Sequence, residues 1–363
     1  MSNDFPLTRL ISKSSFTQEP LASCIKELFG SANSQLAPHL QTVLDSKQWE
    51  NSMAFLTLKE KGALTSESRL VSIGAGLEET LFLFSKYVNL VVATDLYNID
   101  TVWSDVAPAG FIKSPLNYSQ IKAHNNILPI SSDATDLQLP DGFFDGGFSC
   151  GSIEHFGGIA NANKALRELS RVLKIGAPAS IATEFRIRGP ENKNSWGKDT
   201  YLFKWDEIFG ELIEGTGFEL VEVSDKRDID EETLGTRQNL FDFLNTVKSS
   251  LRSDHISEAY PNLVLYHDGF LFSSVHLALI KVKEPSKILA SRDSNIGDFL
   301  TETKLVESIS PMTHGIKQSL ISLQAALLFT NRKGFLGMVL RNLGSGMGIC
   351  IRIYSKLRST MKS

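Results

Sequence analysis

Short apolar runs alternate with amphipathic segments through the middle of the chain, beginning at Arg69. The runs are rich in Val, Ile and Phe, as expected for strands buried on both faces of a sheet. Between them, apolar residues recur at three- and four-residue spacing, as at Leu166, Leu169 and Leu173, which predicts helices. The alternation predicts an α/β fold with a seven-stranded, mostly parallel sheet and helices on both faces. The predicted strands lie near 69–73, 90–95, 127–131, 145–150, 178–184, 218–224 and 271–282, and the predicted helices near 77–87, 160–173 and 204–216.

The segments on either side of this region follow other patterns. Helix-like patches at 20–29 and 36–58 predict an N-terminal helical cap. The segment 225–270 starts with a charged run and separates the last two predicted strands, so it is predicted to be an insertion. A polar linker at 284–298 precedes a glycine-punctuated stretch, which predicts a helical C-terminal extension. The predicted parts are the cap 1–68, the central domain 69–283 and the extension 284–363.

Composition narrows the class of protein. With 363 residues, 42% of them hydrophobic and 21% charged, the chain can bury a sizeable core. Its three cysteines, Cys24, Cys150 and Cys350, are far apart and lack metal-ligand spacing, so neither a disulfide framework nor a zinc site is expected. The N-terminus has no apolar core of signal-peptide type, and no run of 18 apolar residues occurs, so we expect a cytoplasmic protein.

The charge is distributed unevenly. The last 56 residues hold eight basic and no acidic residues, whereas the remainder carries a net charge of −12. The basic tail predicts contact with an anionic membrane surface, at its inner face, or with an acidic partner; the alternative is a helical extension with an ordinary solvated face. Because the body is acidic and the tail lacks interleaved aromatic residues, no nucleic-acid partner is expected.

The stretch 71-VSIGAGLEETLFLF-84 places a glycine turn between a predicted strand and a helix. Gly74 and Gly76 allow a ligand to approach bare backbone at a helix N-terminus. Asp95 follows Gly74 by 21 residues, at the end of the next predicted strand, where a carboxylate can accept both hydroxyls of a ribose. Glu78 and Glu79 would repel a pyrophosphate. The pattern therefore favours a ligand with a ribose and no phosphate, such as S-adenosyl-L-methionine, although Glu78 can alternatively serve only its own helix dipole.

Two further segments carry a family resemblance. They are 131-SSDATDLQLPDGFFDGGFSCGSIEHFGG-158 and 164-KALRELSRVLKIGAPASIATEF-185. Together with the glycine turn and Asp95, they resemble the class I SAM-dependent methyltransferases of the small-molecule type, with a type-11 methyltransferase domain. The resemblance covers about residues 69–224 and implies a Rossmann-like sheet with S-adenosyl-L-methionine as the cofactor.

The resemblance also implies roles for individual residues. Residues at four strand ends would hold the cofactor: Gly74, Ala75, Gly76 and Glu78 at its methionine end, Asp95 and Leu96 at the ribose, Asp133 and Ala134 at the adenine, and Ser149, Cys150 and Gly151 where cofactor and acceptor meet. His155 is the candidate general base and Glu154 the residue that orients it; the alternative is that both only shape their turn. The chain departs from the family at Ser72, an acid in most relatives, and at Glu78, which replaces a third glycine. Gly151 stands where some relatives have a metal-binding acid, so no metal is predicted.

The acceptor is predicted from the loop 186–203, which contains Arg186, Arg188, Lys193, Trp196 and Tyr201. These side chains suit a sugar or an anionic small molecule, so the predicted reaction methylates O or N of a small molecule or glycan precursor. A non-catalytic binding module of the same fold is the alternative. A nicotinamide-dependent reductase is disfavoured, because its Tyr-x-x-x-Lys pair would be Tyr118 and Lys122, which come too early in the fold.

Overall fold

The computed structural model describes residues 5–29, 46–97, 106–119, 123–197, 199–242 and 263–286. Contacts divide the chain into a unit Met1–Ala290 and a unit Ser291–Ser363. The predicted basic tail, and part of the insertion 225–270, lie outside the described residues. The proposed roles of the tail and the domain boundaries of the sequence analysis therefore stay predictions.

One mixed sheet organises the described part of the chain. The strands of the described part are β1 (Arg9–Leu10), β2 (Arg69–Ile73), β3 (Leu90–Asp95), β4 (Ile127–Ser131), β5 (Gly146–Cys150), β6 (Pro178–Arg188), β7 (Ser195–Trp196), β8 (Thr200–Tyr201), β9 (Phe218–Leu220), β10 (Gln238–Asn239), β11 (Val264–His267) and β12 (Phe270–Lys281). The central strands of the sheet run parallel, in the order β4-β3-β2-β5-β6, and β12 joins β6 antiparallel. All seven predicted strands are present, which confirms the Rossmann-like fold.

The strand count differs from the prediction. The sheet has ten strands in the described part, because β1, β10 and β11 join it, while β7 and β8 form a separate two-stranded ribbon. These additional strands have two to four residues each, too few to produce a recognisable alternation of apolar and polar positions. Of these, β1 and β11 pair with β12, and β10 pairs with β11.

The helices lie on both faces of the sheet, at bounds that differ from the predicted ones. They are α1 (Leu21–Phe29), α2 (Ser46–Glu60), α3 (Glu79–Phe84), α4 (Ile159–Val172), α5 (Trp205–Glu207) and α6 (Glu231–Leu234). Helix α3 is shorter than predicted, and α5 continues as a π-helical turn over Ile208–Leu212. Helix α4 matches its prediction closely, because its buried residues recur at helical spacing.

The N-terminal segment is integrated into the sheet and its core. Besides the predicted helices it supplies β1, which pairs with β12 through Arg9 and His276. Trp49, Met53 and Phe55 of α2 are fully buried. Helix α2 therefore packs on the sheet as a core element, which brings its first turn beside the ends of the parallel strands.

A buried histidine links the N-terminal segment to the sheet. His276 donates through Nδ1 to the carbonyl of Leu7 at 2.7 Å, so its Nε2 accepts from the Ser180 hydroxyl, also at 2.7 Å. The Trp49 ring meets the imidazole edge-on at 6.3 Å between centroids. Burial lowers the pKa of His276 to about 4, against the hydrogen bond to Leu7, which raises it.

We expect His276 to make stability depend on pH. Its pKa is about 4 in the folded chain and 6.5 when exposed, so between these values the unfolded chain binds more protons. The contribution of neutral His276 to the free energy of unfolding is therefore complete above pH 6.5, and it falls by up to about 3 kcal/mol as the pH drops towards 4. Urea unfolding at neutral and mildly acidic pH measures the loss. His276→Gln keeps a donor and an acceptor but should remove this dependence of stability on pH, whereas the control His124→Gln should retain it. An equal pH dependence of stability in wild type and His276→Gln would contradict the assignment.

Candidate active site

A cavity of about 900 Å³ opens at the carboxyl ends of β2, β3, β4 and β5. This is the edge of a parallel α/β sheet at which ligands bind. Nine of the predicted site residues line the cavity: Gly74, Gly76, Glu78, Asp95, Leu96, Asp133, Ala134, Gly151 and His155. The other four, Ala75, Ser149, Cys150 and Glu154, are almost fully buried behind the wall.

The glycine turn after β2 is held tightly by its neighbours. Gly74 and Gly76 have φ angles of 59° and 45°, in the left-handed region that favours glycine. The Ser152 hydroxyl donates to the Gly74 carbonyl at 2.6 Å, and the Tyr97 hydroxyl donates to the Gly76 carbonyl at 2.8 Å. A Cβ on Gly74 would lie 2.6 Å from the Cβ of Ser152. Glycine is therefore required here both for backbone conformation and for packing.

Asp95 at the end of β3 anchors the same turn. Its Oδ2 accepts from the Gly76 amide at 2.8 Å and its Oδ1 from the Leu96 amide at 2.6 Å. Burial raises the pKa of Asp95, while these two backbone donors lower it. Because each carboxylate oxygen can accept more than one hydrogen bond, Asp95 can hold the turn and still accept from a ligand hydroxyl.

The loop after β4 forms another part of the cavity wall. Asp133 is exposed and accepts from the Thr135 amide through Oδ1 at 2.8 Å, which fixes its orientation. Ser132, Ala134 and Thr135 line the cavity beside it. The loop therefore presents a carboxylate and backbone groups to the same cavity as Asp95, although it is far from Asp95 in sequence.

The N-terminal helices supply a wall that the sequence analysis missed. Phe29 of α1 and Lys47, Gln48 and Asn51 of α2 line the cavity. Lys47 Nζ donates to the carbonyl of Cys150 at 2.9 Å, across 103 positions of sequence. The sequence of α2 carries no motif that indicates this role. Its polar residues Gln48, Glu50, Asn51 and Ser52 are buried, but only the structure shows that burial.

Several carboxylates surround Lys47 beneath this wall. Glu50 accepts from the Ser274 hydroxyl at 2.5 Å, and Glu154 accepts from the Thr183 hydroxyl at 2.7 Å. Burial raises the pKa of Glu78, which Lys47 lowers and Glu50 raises further. Burial, followed by the charges of Glu154 and Glu50, also raises the pKa of Glu184. The cluster therefore favours positively charged groups near it.

His155 has a defined orientation at the rim. Its Nδ1 lies 3.0 Å from the carbonyl oxygen of Asp199, an acceptor only, so Nδ1 carries the proton in the neutral ring. Nε2 then carries the lone pair. The Glu154 carboxylate is 3.9 Å from Nε2, beyond hydrogen-bond range, so Asp199 rather than Glu154 fixes the ring.

The side chains of the predicted acceptor loop make contacts away from the cavity. Arg186 is buried and donates to the carbonyls of Pro190 and Lys193, both at 2.6 Å. Trp196 stacks on Phe272. The Tyr201 hydroxyl donates to Glu207 at 2.9 Å. No described residue between 186 and 203 lines the cavity, so the structure does not place these side chains at the site.

Metal-binding clusters and membrane-spanning helices are both absent from the described part of the chain. There, no group of three or more His, Cys, Asp or Glu residues is placed to hold a metal ion. None of the helices described is both long and apolar enough to cross a membrane.

Comparison with known proteins gives a family match. Residues 71–181, which run from β2 into β6, match the family model of a methyltransferase domain. Among curated proteins, none matches the sequence significantly.

Similar solved structures include the YcgJ protein from Bacillus subtilis, with 18% identity over 63% of this chain and 98% of that one and a TM-score of 0.40. A phosphoethanolamine N-methyltransferase 2 from Haemonchus contortus, in complex with phosphomonomethylethanolamine and S-adenosylhomocysteine, has 17% identity over 63% and 52% of the two chains and a TM-score of 0.42. A geranyl diphosphate methyltransferase in complex with SAM has 14% identity over 77% and 100%, with a TM-score of 0.41.

Proposed function

We propose that this chain, in which residues 71–181 form a class I SAM-dependent methyltransferase domain, transfers a methyl group to a nitrogen or oxygen atom of a small molecule. The family predicted from the sequence is confirmed at the level of this domain. The observation that carries the proposal is one shared cavity, lined by the glycine turn and by Asp95 and Asp133 and also by His155. Its volume of about 900 Å³ is in the range of small-molecule sites.

The residues present suit S-adenosyl-L-methionine. Asp95 keeps acceptor capacity for the ribose hydroxyls, since each of its oxygens receives one backbone donor. Asp133 and Ala134 line the cavity at the position proposed for the adenine, and Leu96 lines it at the position proposed for the ribose. Gly74, Gly76 and Glu78 line the part of the cavity beside the glycine turn. The amino-acid end of the cofactor fits there, because it has no phosphate for Glu78 to repel.

The chain's own residues align the acceptor and manage its proton. When bound, the cofactor supplies a methyl group already activated on a sulfonium, so orientation and exclusion of water are the main tasks of the protein. His155 accepts the acceptor's proton at Nε2, because Nδ1 is committed to the carbonyl of Asp199. The Glu154 carboxylate lies 3.9 Å from Nε2 and stabilises the imidazolium by its charge.

The charge behind the cavity wall supports a nitrogen acceptor. Glu50 and Glu154 are buried there, and Glu184 is close enough to both for their charges to raise its pKa. These carboxylates attract an ammonium group and disfavour an anionic acceptor. An amino sugar satisfies the same chemistry, so a glycan precursor remains among the acceptors to be tested.

Calorimetry with S-adenosylmethionine and S-adenosylhomocysteine, followed by a methyl-transfer assay, tests the proposal. The acceptor panel pairs amines with matched hydroxyl compounds: ethanolamine with ethylene glycol, and glucosamine with glucose. Binding followed by methylation of the amine in a pair supports the proposal. Absence of cofactor binding would contradict the proposed function, and binding without turnover on any acceptor would favour the non-catalytic binding module.

Replacement of His155 by glutamine is expected to lower the methylation rate by about 100-fold. Glutamine is a polar side chain of similar size, but it has no basic nitrogen to take the proton. The rate at saturating cofactor and the affinity for S-adenosylhomocysteine are measured on the best acceptor of the panel. His124→Gln, away from the cavity, is the control. An unchanged rate in His155→Gln, or an equal loss of cofactor affinity, would assign His155 to shaping the turn instead.

A further inference from the structure

Lys47 is the point at which helix α2 enters the wall of the cavity. Its Nζ lies 2.9 Å from the carbonyl oxygen of Cys150, 3.1 Å from Glu50 Oε2 and 3.4 Å from Glu78 Oε1. The Lys47 side chain is 47% exposed, whereas that of Glu50 is 4% exposed and lies behind it. Among the described residues that line the cavity, Lys47 is the only lysine or arginine.

The contacts of Lys47 hold its charge in place. The carbonyl of Cys150 belongs to the end of β5, and Glu50 lies one turn along α2 and is itself bonded to Ser274 of β12. Both acceptors are part of the packed core and keep the ammonium at the cavity wall. Glu78 is a third acceptor of the same ammonium, and a ligand oxygen can take its place.

Glu78 provides the opposite charge on the same wall. It opens helix α3 directly after the glycine turn and lines the cavity with a side chain that is 22% exposed. The wall beside the turn thus presents a positive and a negative group 3.4 Å apart. This is the charge pattern that complements a free α-amino acid, which has an ammonium and a carboxylate on one carbon.

The amino-acid end of the cofactor needs such a pair. A carboxylate buried beside Glu78 and Glu79 would be strongly unfavourable without a facing cation. Lys47 is the cation available on this wall, and Glu78 can accept from the ammonium. Glu78, which stands in place of a third glycine, then has a function. It recognises a charge of the ligand, whereas a glycine would let the ligand approach the backbone closely.

We infer that Lys47 and Glu78 recognise the two charged groups of the cofactor's amino-acid end, Lys47 binding the α-carboxylate and Glu78 the α-ammonium. The inference rests on the proposed function, since it concerns the same cavity. The pair opens to admit the ligand: Lys47 exchanges Glu78 for the ligand carboxylate and keeps Cys150 and Glu50. The N-terminal segment is therefore part of the cofactor site and not a separate cap.

Substitution of Lys47 by methionine tests the assignment. Methionine keeps most of the length and the apolar stem of the side chain and removes its charge. The affinity for S-adenosylhomocysteine is expected to fall about tenfold or more, because a charge-assisted contact is lost. The affinity for 5′-methylthioadenosine, which has the same nucleoside and thioether but no amino-acid group, is expected to stay within about twofold. Calorimetry measures both. Lys59→Met is the matched control, since Lys59 is on the same helix but pairs with Glu27 at 2.7 Å, away from the cavity.

A third ligand separates the two charges. The decarboxylated analogue of S-adenosylhomocysteine keeps the amine and lacks the carboxylate, so its affinity should not weaken in Lys47→Met but should weaken in Glu78→Gln. Wild type should bind this analogue less tightly than S-adenosylhomocysteine, a comparison that needs no variant to fold. The inference is overturned if wild type binds the two compounds with equal affinity. It is also overturned if Lys47→Met binds S-adenosylhomocysteine as tightly as wild type does, or loses affinity equally for S-adenosylhomocysteine and methylthioadenosine. If no adenosyl compound binds the wild type, the proposed function itself has failed.

Discussion

Replacing Asp95 with asparagine is expected to reduce the affinity for S-adenosylhomocysteine by about 100-fold and to abolish measurable methyl transfer. Both carboxylate oxygens of Asp95 accept backbone amides, from Gly76 and Leu96. Asparagine has only one acceptor oxygen, so its amide nitrogen must face one of these donors and leave it unpaired. The variant is therefore expected to lose the proposed ribose contact and to loosen the turn proposed to bind the amino-acid end of the cofactor.

Calorimetry with S-adenosylhomocysteine and with adenosine measures the Asp95 effect. Both ligands carry the ribose, so both should weaken, in contrast to the selective effect expected for Lys47. Asp136→Asn changes an exposed carboxylate just beyond Asp133, outside the cavity lining, and is the control. Wild-type affinity in Asp95→Asn would show that Asp95 has only a structural role in the turn.

Replacing Gly74 with alanine is expected to destabilise the protein by about 3 kcal/mol and to eliminate cofactor binding. The backbone φ of 59° costs a side chain about 1–2 kcal/mol. The new Cβ would also lie 2.6 Å from the Cβ of Ser152, far inside contact distance. Relief of that clash must separate β2 from the turn after β5, and the cavity lies between these two segments. Urea unfolding and calorimetry measure the two losses.

A matched glycine separates the backbone cost from the contact cost. Gly142 has φ of 58°, and nothing lies within 4 Å of where its Cβ would be. Gly142→Ala should therefore show only the backbone cost and retain cofactor binding. Removing the opposing Cβ, in the double variant Gly74→Ala with Ser152→Gly, should recover part of the loss, as expected for residues in contact. Equal destabilisation by Gly74→Ala and Gly142→Ala would exclude the steric explanation.

The sequence was informative wherever the chemistry depends on local order. The glycine turn, the carboxylate at the end of the next strand and the segment around Glu154 and His155 each follow a strand of the parallel sheet. Because the carboxyl ends of such strands meet at one edge, their order in sequence predicts that they converge. Gly74, Asp95, Asp133 and His155 do line one cavity. The same reasoning failed for the loop after β6, because the number of charged and aromatic side chains does not tell which of them are used within the loop itself. Arg186, near the end of β6, is an example, since it donates to the carbonyls of Pro190 and Lys193 in the following loop.

By itself, then, the sequence determined the sheet, the methyltransferase domain and the residues that follow each parallel strand, because strand periodicity and short motifs encode them locally. Only the tertiary structure decided that α2 forms a wall of the cavity, that Lys47 meets Glu78 across 31 positions and Cys150 across 103, and that Glu154 and Cys150 lie behind the surface. These contacts depend on how a helix with an unremarkable pattern docks on the sheet. Docking is governed by the sum of many apolar contacts, such as those of Trp49 and Phe55, and no short stretch of sequence records where it places a single charge.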